Sequence, residues 1–344
     1  MTKYHPLKEL LRVRLLEFIR EPETVFWVYG FPLLLAIGLG IAFRTGAEEQ
    51  IFVDVQQHET AEALAVTLGK IPGLNVEIHS SSECQARLRS GRSSLTVVPG
   101  RHFVFLFDPT RPESTQARQR VNEILQQAAG RIDPVATEDQ LITEPGARYI
   151  DFLIPGLIGL NLLGSGMWGV GYAIVDMRVR KLLKRLVATP MKRINFLWSM
   201  IGARLVFMIP ELVVILGAGF LLFGVPIRGS LISVFILALF GAVAFAGLGL
   251  LIASRAQRVE TVSGLMNLIQ LPMWLFSGIF FAPERFPAIL QPVVQVLPLT
   301  QLNYALRAVI LEGADLISQL WRLAFLALWS GISIFFALRW FRWN

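Results

Sequence analysis

Residues 152–175 read FLIPGLIGLNLLGSGMWGVGYAIV, and residues 177–193, which follow almost at once, read MRVRKLLKRLVATPMKR. The first stretch is uncharged and long enough to cross the hydrocarbon core of a bilayer, which takes about 20 apolar residues. The second contains seven Lys or Arg and no Asp or Glu, and short basic loops of this kind collect on the cytoplasmic side of a membrane. Together they predict a membrane-spanning helix that ends in a cytoplasmic basic loop.

The interior of this basic loop alternates apolar and basic residues at helical spacing. Its apolar face would hold Leu182, Leu183, Leu186 and Val187, and its basic face Arg178, Lys181, Lys184 and Arg185. The pattern predicts a short amphipathic helix that lies along the membrane surface. Thr189 and Pro190 are expected to end it, because the residue before a proline avoids the helical conformation.

The composition of the 344-residue chain agrees with a membrane protein. Apolar residues make up 54% of the chain and charged residues 17%, and the mean hydropathy is +0.55. The net charge of +7 could indicate nucleic-acid binding, but the Lys and Arg residues cluster beside apolar stretches rather than on a face with interleaved aromatic residues. We therefore expect no nucleic-acid partner.

Working outward from the basic loop, the sequence predicts an α-helical polytopic membrane protein with six transmembrane helices. The predicted spans are residues 24–43, 150–175, 194–227, 229–254, 261–282 and 316–338. Residues 1–21 have the pattern of an amphipathic helix that lies on the inner leaflet. The distribution of Lys and Arg among the loops predicts that both termini are cytoplasmic.

A polar insert, residues 44–148, separates the first two spans and is large enough for a small domain. Four stretches have the composition of strands: IFVDV (51–55), LNVEI (74–78), SLTVV (94–98) and HFVFLF (102–107). Helices are expected at residues 59–69, 83–91 and 113–130. The insert is therefore predicted to be a small α/β domain, and an extracytoplasmic one, because the first span carries the chain across the membrane. Its histidines, His58, His79 and His102, lack metal-ligand spacing, so no metal site is expected.

Residues 283–312 are apolar enough to enter a membrane but are interrupted by Pro283, Pro287, Pro292 and Pro298. This pattern predicts two short re-entrant helices that enter from the outer side and return. Irregular backbone persists at membrane depth only where protein or a wet cavity covers it. The stretch therefore argues against a purely anchoring role.

Among the polar residues of the predicted spans, Arg204, Glu211, Asn267 and Gln270 are the candidates for a functional role within the membrane. Arg204 and Glu211 are two helical turns apart and share a face, and ionisable residues at membrane depth are costly and often functional. They could pair, or one could line a proton or ion path. Alternatively, the Arg204 side chain extends to the inner membrane interface while Glu211 forms a hydrogen bond with a neighbouring helix. Asn267 and Gln270 are expected to hold helices together.

Four features extend over essentially the whole chain. They are FIREPETVFWVYGFPLLLAIGLGIAF (18–43), the strand and helix order of the insert, KRLVATPMKRINFLWSMIGAR (184–204), and LFSGIFFAPERFPAILQPVVQVLPLTQLNYALRAVILEG (275–313). In this order they resemble the permease subunits of ABC-2 type export transporters, in the branch with a large extracytoplasmic domain between the first two spans. The resemblance implies a protein of the bacterial cytoplasmic (inner) membrane that exports a hydrophobic or amphipathic substrate.

By this resemblance, residues 176–193 are similar to the coupling helix that docks in a cleft of a separate ATP-binding subunit. The family's loop pattern is kept by Arg178, Arg185, Leu186, Thr189 and Pro190, whereas Val179, Lys181, Leu182 and Lys184 depart from it. Contact with the ATP-binding subunit is expected at the first five residues and at Lys181 and Lys184. A more acidic partner surface than usual would compensate for the departures.

The resemblance also implies the other partners of the chain. These are two copies of the ATP-binding subunit, which would carry ATP and Mg, and a second permease subunit, for which an identical chain is favoured. Membrane lipid and an accessory or periplasmic protein are further expected partners.

The sequence gives no sign of ATP chemistry on this chain. A phosphate-binding loop needs Gly-Lys followed by Ser or Thr, and the one Gly-Lys pair, Gly69-Lys70, is followed by Ile71. Neither a zinc-protease motif nor a nucleophile elbow occurs, so we expect a permease without an enzyme activity or a cofactor of its own. Two alternatives remain open: an ion-coupled secondary transporter that uses Glu211, and a membrane sensor or assembly protein whose outer domain binds a ligand.

Overall fold

The computed structural model describes residues 6–42, 51–71, 73–100, 102–131, 146, 148–189 and 193–342 of the chain. The chain divides into two compact units. Arg44–Leu141 is called the α/β unit below, and Met1–Phe43 with Ile142–Asn344 is called the helical unit. Each unit has its own cluster of buried apolar side chains.

The elements follow the apolar periodicities of the sequence. In chain order the described helices are α1 (Pro6–Arg20), α2 (Pro22–Ala42), α3 (Ala61–Gly69), α4 (Ser81–Ser90), α5 (Pro112–Ala128), α6 (Tyr149–Val179), α7 (Leu182–Val187), α8 (Arg193–Phe223), α9 (Leu231–Ala253), α10 (Val259–Phe276), α11 (Gln291–Val296), α12 (Pro298–Ile310) and α13 (Leu316–Trp340). The described strands are β1 (Ile51–Gln56), β2 (Leu74–His79), β3 (Leu95–Val98) and β4 (Val104–Leu106). Short π-helical segments interrupt α2 and α6, and α13 begins with a 3-10 turn.

Five of the described helices are long and apolar enough to cross a membrane: α2, α6, α8, α9 and α13. They divide into inner and outer helices. In the most apolar 18-residue stretch of each helix, 83% of the residues of α6 and 61% of those of α9 are buried. The corresponding fractions for α2, α8 and α13 are 17%, 28% and 28%. The outer helices thus present apolar side chains at the surface, as expected of a protein whose surroundings are hydrocarbon. The chain is a mostly helical, multi-pass membrane protein.

The predicted fifth span, residues 261–282, differs from the structure. The corresponding helix, α10, has 18 residues and ends at Phe276, and it is not among the five helices that are apolar and long enough to span. Gly278 follows with a φ of +76°, a conformation that favours glycine and stops a helix. The number of six spans therefore remains a prediction.

The other predicted helix boundaries shift by smaller amounts. The predicted third span, 194–227, is too long, because α8 ends at Phe223 and Gly224 adopts a φ of +61°. The second span continues beyond the predicted Val175 to Val179. The first span ends at Ala42, and the last predicted residue of that span, Phe43, lies outside the described residues.

The two inner helices pack through glycine. A Cβ atom on Gly171 of α6 would lie 2.5 Å from the carbonyl oxygen of Gly249 of α9, and one on Gly249 would lie 2.9 Å from the carbonyl oxygen of Met167. Only glycine permits this approach of the two backbones. The close contact and the high burial of both helices place α6 and α9 at the centre of the helical unit.

The proline-rich stretch 283–312 forms a 3-10 turn at Pro283–Arg285 and the two short helices α11 and α12. Nearly all of α12 is buried, and it packs against α6, α9 and α13. Asn303 of α12 donates a hydrogen bond to the carbonyl oxygen of Ser277 at 2.8 Å. Two helices occur as the sequence predicted, and their position relative to a membrane remains a prediction.

The α/β unit contains a four-stranded sheet in the order β2-β1-β3-β4. The first three strands are parallel and β4 is antiparallel to β3. Val53, Val55, Leu95 and Val97 are fully buried on the face that carries the apolar core of the unit. All four strands and all three helices lie within a few residues of their predicted positions.

Candidate functional site

The basic loop is built from the end of α6, a tight turn and α7. Helix α6 ends at Val179, and Lys181 adopts a left-handed conformation with a φ of +59°. This conformation is costly for any residue with a Cβ atom, and here it turns the chain directly into α7. The Thr189 hydroxyl donates a hydrogen bond to the carbonyl oxygen of Leu186 at 2.6 Å, which closes the last turn. Pro190, the predicted end of the helix, lies outside the described residues.

Arg178 does not lie on the exposed basic face that the sequence predicts. It belongs to the last turn of α6 and is 8% exposed. Its guanidinium donates hydrogen bonds to the carbonyl oxygens of Ala253, at 2.8 Å, and Ala256, and to that of Arg342 at 2.7 Å. The predicted helix over 176–193 therefore begins too early: Arg178 still belongs to α6, and α7 begins at Leu182. The carbonyl groups that bind its guanidinium hold Arg178 in the interior.

Three other basic side chains of the predicted face do point outward. Lys181, Lys184 and Arg185 are exposed, and this group is called the basic patch below. Thr189 is also exposed. On the opposite face Leu183 is 1% exposed, and Leu186 packs against the core of the helical unit. Two members of the predicted apolar face, Leu183 and Leu186, thus face the interior, whereas a third, Leu182, is exposed.

Helix α1 lies against α8. The Phe18 ring of α1 stacks on Phe207 with 4.0 Å between ring centroids. Arg14 of α1 contacts the Met177 sulfur and pairs with Glu17 at 2.7 Å. Burial lowers the pKa of the Arg14 guanidinium, and the Glu17 carboxylate opposes that effect. Helix α1 thus adds a further contact to the end of α6 from which the basic loop emerges.

One end of the helical unit gathers several of the segments predicted to be cytoplasmic. The backbone N–H of Arg342 donates to the carbonyl oxygen of Ser254 at 2.9 Å, and the Arg255 guanidinium lies 5.7 Å from the Trp340 ring centroid. Through Arg178 the basic loop joins the same group of contacts. Ends of α6, α9 and α13 are therefore tied together beside α7.

Arg204 and Glu211 form a bidentate ion pair inside the helical unit. The two guanidinium nitrogens donate to the two carboxylate oxygens at 2.8 Å each, and the residues are 4% and 2% exposed. The Ser165 hydroxyl of α6 also donates to Glu211 at 3.5 Å. Of the predicted alternatives, the structure thus realises pairing, and Arg204 does not reach the surface.

The other two predicted polar residues do not join this pair. Gln270 is 4% exposed and accepts a hydrogen bond from the Trp168 indole N–H of α6 at 2.8 Å, which is the helix-bridging role that the sequence predicted. Asn267 is exposed. A continuous polar path through all four residues is therefore not formed.

Sequence reasoning missed Arg307 of α12. It is 8% exposed, its guanidinium lies 3.5 Å from the Phe152 ring centroid, and it donates to the carbonyl oxygens of Phe152 and Gly278. The available signal was a lone arginine within an otherwise apolar helical stretch, LNYALRAVI, because such a residue needs partners if its helix is buried.

A cluster of possible metal-binding groups occurs in the α/β unit. Ligand atoms of Asp54, Glu77 and His79 lie within 4.8 Å of one another. The Arg87 guanidinium pairs with Asp54 at 3.1 Å and with Glu77 at 2.7 Å, and a hydrogen bond from His79 together with the Arg87 charge lowers the pKa of Glu77. The arginine supplies the positive charge that both carboxylates need, so we assign no metal to the cluster.

Comparison with known proteins agrees with this architecture. Two curated relatives are "ABC transporter G family member 20" of Dictyostelium discoideum, 27% identical over 56% of this chain and 26% of its own length, and "Probable multidrug ABC transporter permease YbhS" of Escherichia coli K12, 26% identical over 49% of this chain and 45% of its own length. The matched regions thus span less than half of those relatives. A family model described as "ABC-2 family transporter protein" matches residues 22–341. With nearly the whole chain matched, we conclude that this membrane permease belongs to the ABC-2 family of transporter proteins.

Proposed function

We propose that the chain is the membrane-spanning subunit of an ATP-driven exporter and that a separate ATP-binding subunit docks on the basic patch. One observation carries the proposal: an exposed basic helix, α7, begins four residues after a buried arginine that ties the loop to two other helices. A partner bound to α7 would therefore act on several helices at once. Arg178 is part of this link rather than of the contact surface.

In this proposal a movement of α7 reaches the helices through Arg178. Its guanidinium joins the end of α6 to the last turn of α9 and to the residues that follow α13. Packed helices move as rigid bodies rather than deform continuously. Closure of the ATP-binding subunits would thus shift α6, α9 and α13 together.

ATP and Mg bind to the partner in this account, because the chain lacks a phosphate-binding loop. Two copies of the ATP-binding subunit would serve two permease subunits. Two identical permease chains suffice, since a two-fold symmetric path needs only one gene product. An accessory protein would have access to the α/β unit on the opposite side of the membrane.

We place the protein in a bacterial cytoplasmic (inner) membrane with both termini and the basic patch in the cytoplasm and residues 44–148 outside. The distribution of Lys and Arg among the loops of the sequence supports this orientation, because short cytoplasmic loops are rich in these residues. The α/β unit follows α2 in the chain and is therefore assigned to the other side.

The proposed substrates are hydrophobic or amphipathic: a drug, a lipid or a lipid-linked compound. Support comes from the Escherichia coli relative, whose name describes a probable multidrug permease. The outer helices α2, α8 and α13 also expose large apolar side chains, such as Leu34, Val213 and Leu328, along which an apolar molecule could enter from the bilayer.

The ion-coupled alternative is disfavoured by the geometry at Glu211. Both carboxylate oxygens accept hydrogen bonds from Arg204, and a carboxylate that is held this way is a poor carrier of protons or cations. The sensor alternative is disfavoured by α12, since a protein that only anchors an outer domain has no need of a short helix buried against α6 and α9.

Reversing charges on the basic patch tests the proposal. We expect Lys181→Glu with Lys184→Glu to weaken association with the ATP-binding subunit roughly 10- to 100-fold. The new carboxylates would repel the acidic surface that is expected on the partner. Association is measured by co-purification in detergent, and export by ATP-dependent movement of a fluorescent amphiphile in proteoliposomes.

Two control variants separate charge from other effects. Lys181→Asn removes one charge but tolerates the left-handed conformation, so assembly should be nearly normal. Arg258→Glu reverses an exposed charge outside the loop and should leave association unchanged. Normal assembly and export by the doubly reversed protein would refute docking on the basic patch.

A further inference from the structure

The helical unit contains a polar cavity of about 500 Å³ at the start of α13. Phe152 of α6, Tyr304 and Arg307 of α12, and Arg322 of α13 contribute to its wall. Phe152 and Arg178 lie at opposite ends of α6, about 40 Å apart for a helix of this length. The cavity is therefore remote from the basic patch and from its proposed partner.

Two arginines on the cavity wall have no carboxylate partner within ion-pair distance among the described residues. Arg307 is held by the carbonyl oxygens of Phe152 and Gly278. Arg322 donates to the side-chain oxygen of Gln319, while its Nε is buried without a hydrogen-bond partner in the described part of the chain. Its guanidinium lies 5.5 Å from the Tyr304 ring centroid and 5.0 Å from that of Trp321. In the described part of the chain both guanidinium groups are thus held by neutral groups rather than by a direct ion pair.

Two carboxylates, Glu284 and Glu312, also line the cavity and attract the arginines electrostatically, but among the described residues neither lies within ion-pair distance of Arg307 or Arg322. Glu284 accepts a hydrogen bond from the Tyr304 hydroxyl at 2.6 Å, and Glu312 is exposed to solvent. A guanidinium held by neutral carbonyl groups or rings retains donors that match the oxygens of phosphate or carboxylate. The volume is within the range of cavities that bind small molecules.

Apolar side chains surround the same turn of α13. Ile317 is 78% exposed, Leu320 56% and Trp321 55%. They lie among the cavity residues Ser318, Gln319 and Arg322 in the sequence. A ligand with an anionic head in the cavity could therefore lay apolar chains on this surface. A free inorganic anion would leave these side chains unused.

We propose that this cavity binds the anionic head group, phosphate or carboxylate, of an amphiphile whose apolar chains lie on the first turns of α13. The ligand would be a membrane lipid or a transported molecule of the same chemistry. Arg322 supplies the main contact, because Arg307 is already engaged with two carbonyl oxygens. The inference does not depend on the proposed ATP-driven export, and it can be tested on the full chain alone.

The test is binding of a short-chain phosphatidate, dihexanoyl phosphatidate, to the full chain in a neutral detergent, measured by calorimetry. We expect Arg322→Gln to weaken binding roughly 10- to 100-fold, as for the loss of a charge-assisted contact. Arg322→Lys keeps the charge and should retain most of the affinity, and Arg258→Gln, at an exposed arginine outside the cavity, should change nothing. The melting temperature of each variant shows whether it is folded.

Two results would overturn the inference. Equal affinity of the wild-type chain and Arg322→Gln for the phosphatidate would show that the head group does not bind in this cavity. Equal affinity of the wild-type chain for inorganic phosphate and for the phosphatidate would show that the ligand is not an amphiphile, since its apolar chains would contribute nothing to binding. Weak binding of inorganic phosphate combined with an Arg322-dependent affinity for the phosphatidate supports both parts.

Discussion

Glu211→Gln is expected to destabilise the helical unit by about 3–5 kcal/mol, because it leaves a buried arginine without its counter-ion. Arg204 is 4% exposed and donates to both carboxylate oxygens. Glutamine can accept only one of these hydrogen bonds and carries no charge to balance the guanidinium. The effect is measured as the loss of folded, monodisperse protein on heating in detergent, compared with the wild-type chain.

The double variant Arg204→Met with Glu211→Leu is the matched control. Replacing both members of a buried ion pair with apolar residues of similar size is often neutral or stabilising, so this variant should recover most of the lost stability and retain export. If Glu211→Gln folds as stably as the wild-type chain but no longer transports, the pair is an ion path and the secondary-transporter alternative gains support.

Arg178→Met is expected to disconnect the basic patch from the transmembrane helices. The variant leaves carbonyl oxygens of Ala253, Ala256 and Arg342 without the donor that reaches them in the structure, at about 1–3 kcal/mol for each one that stays buried and unsatisfied. Methionine preserves much of the side-chain volume. We therefore expect export to fall about tenfold or more, as for a lost coupling free energy of 1–3 kcal/mol, while the ATP-binding subunit still binds.

The readouts for Arg178→Met are ATP hydrolysis and export by the same reconstituted complex. Continued hydrolysis with reduced export would identify Arg178 as a coupling residue, whereas loss of both would indicate misfolding. Arg180→Met is the control, since Arg180 is two residues away, its side chain is 69% exposed, and it pairs with Asp176 of the same helical turn. Unchanged export in Arg178→Met would contradict the role of the link.

The elements of this fold were predictable where apolar periodicity is strong. Long apolar runs gave the helices α2, α6, α8, α9 and α13, and alternating apolar residues bounded by turns gave the four strands. Both patterns reflect local chain geometry and burial, which are encoded in neighbouring residues. The burial of Leu183 and the outward position of Lys184 and Arg185 in α7 were predictable for the same reason.

The departures occur where distant residues decide the structure. Arg178 follows the basic pattern of its neighbours, but the carbonyl groups that bury it come from residues 253, 256 and 342, and no local signal indicates them. The end of α10 at Phe276 depends on the turn at Gly278 and on the packing of Arg307 against it. The spacing of Arg204 and Glu211 permitted pairing, but the sequence could not show that Arg204 is buried and does not reach the surface.

Photo-crosslinking from the basic patch tests the central claim most directly. A benzophenone amino acid replaces Lys184, the full chain is irradiated in its native membrane, and adducts are identified by mass spectrometry. We predict an adduct with a polypeptide that contains a phosphate-binding loop of the form Gly-x-x-x-x-Gly-Lys followed by Ser or Thr, and a much weaker one when the probe replaces Arg258. Adducts with lipid alone at position 184, under conditions in which export is active, would contradict the account.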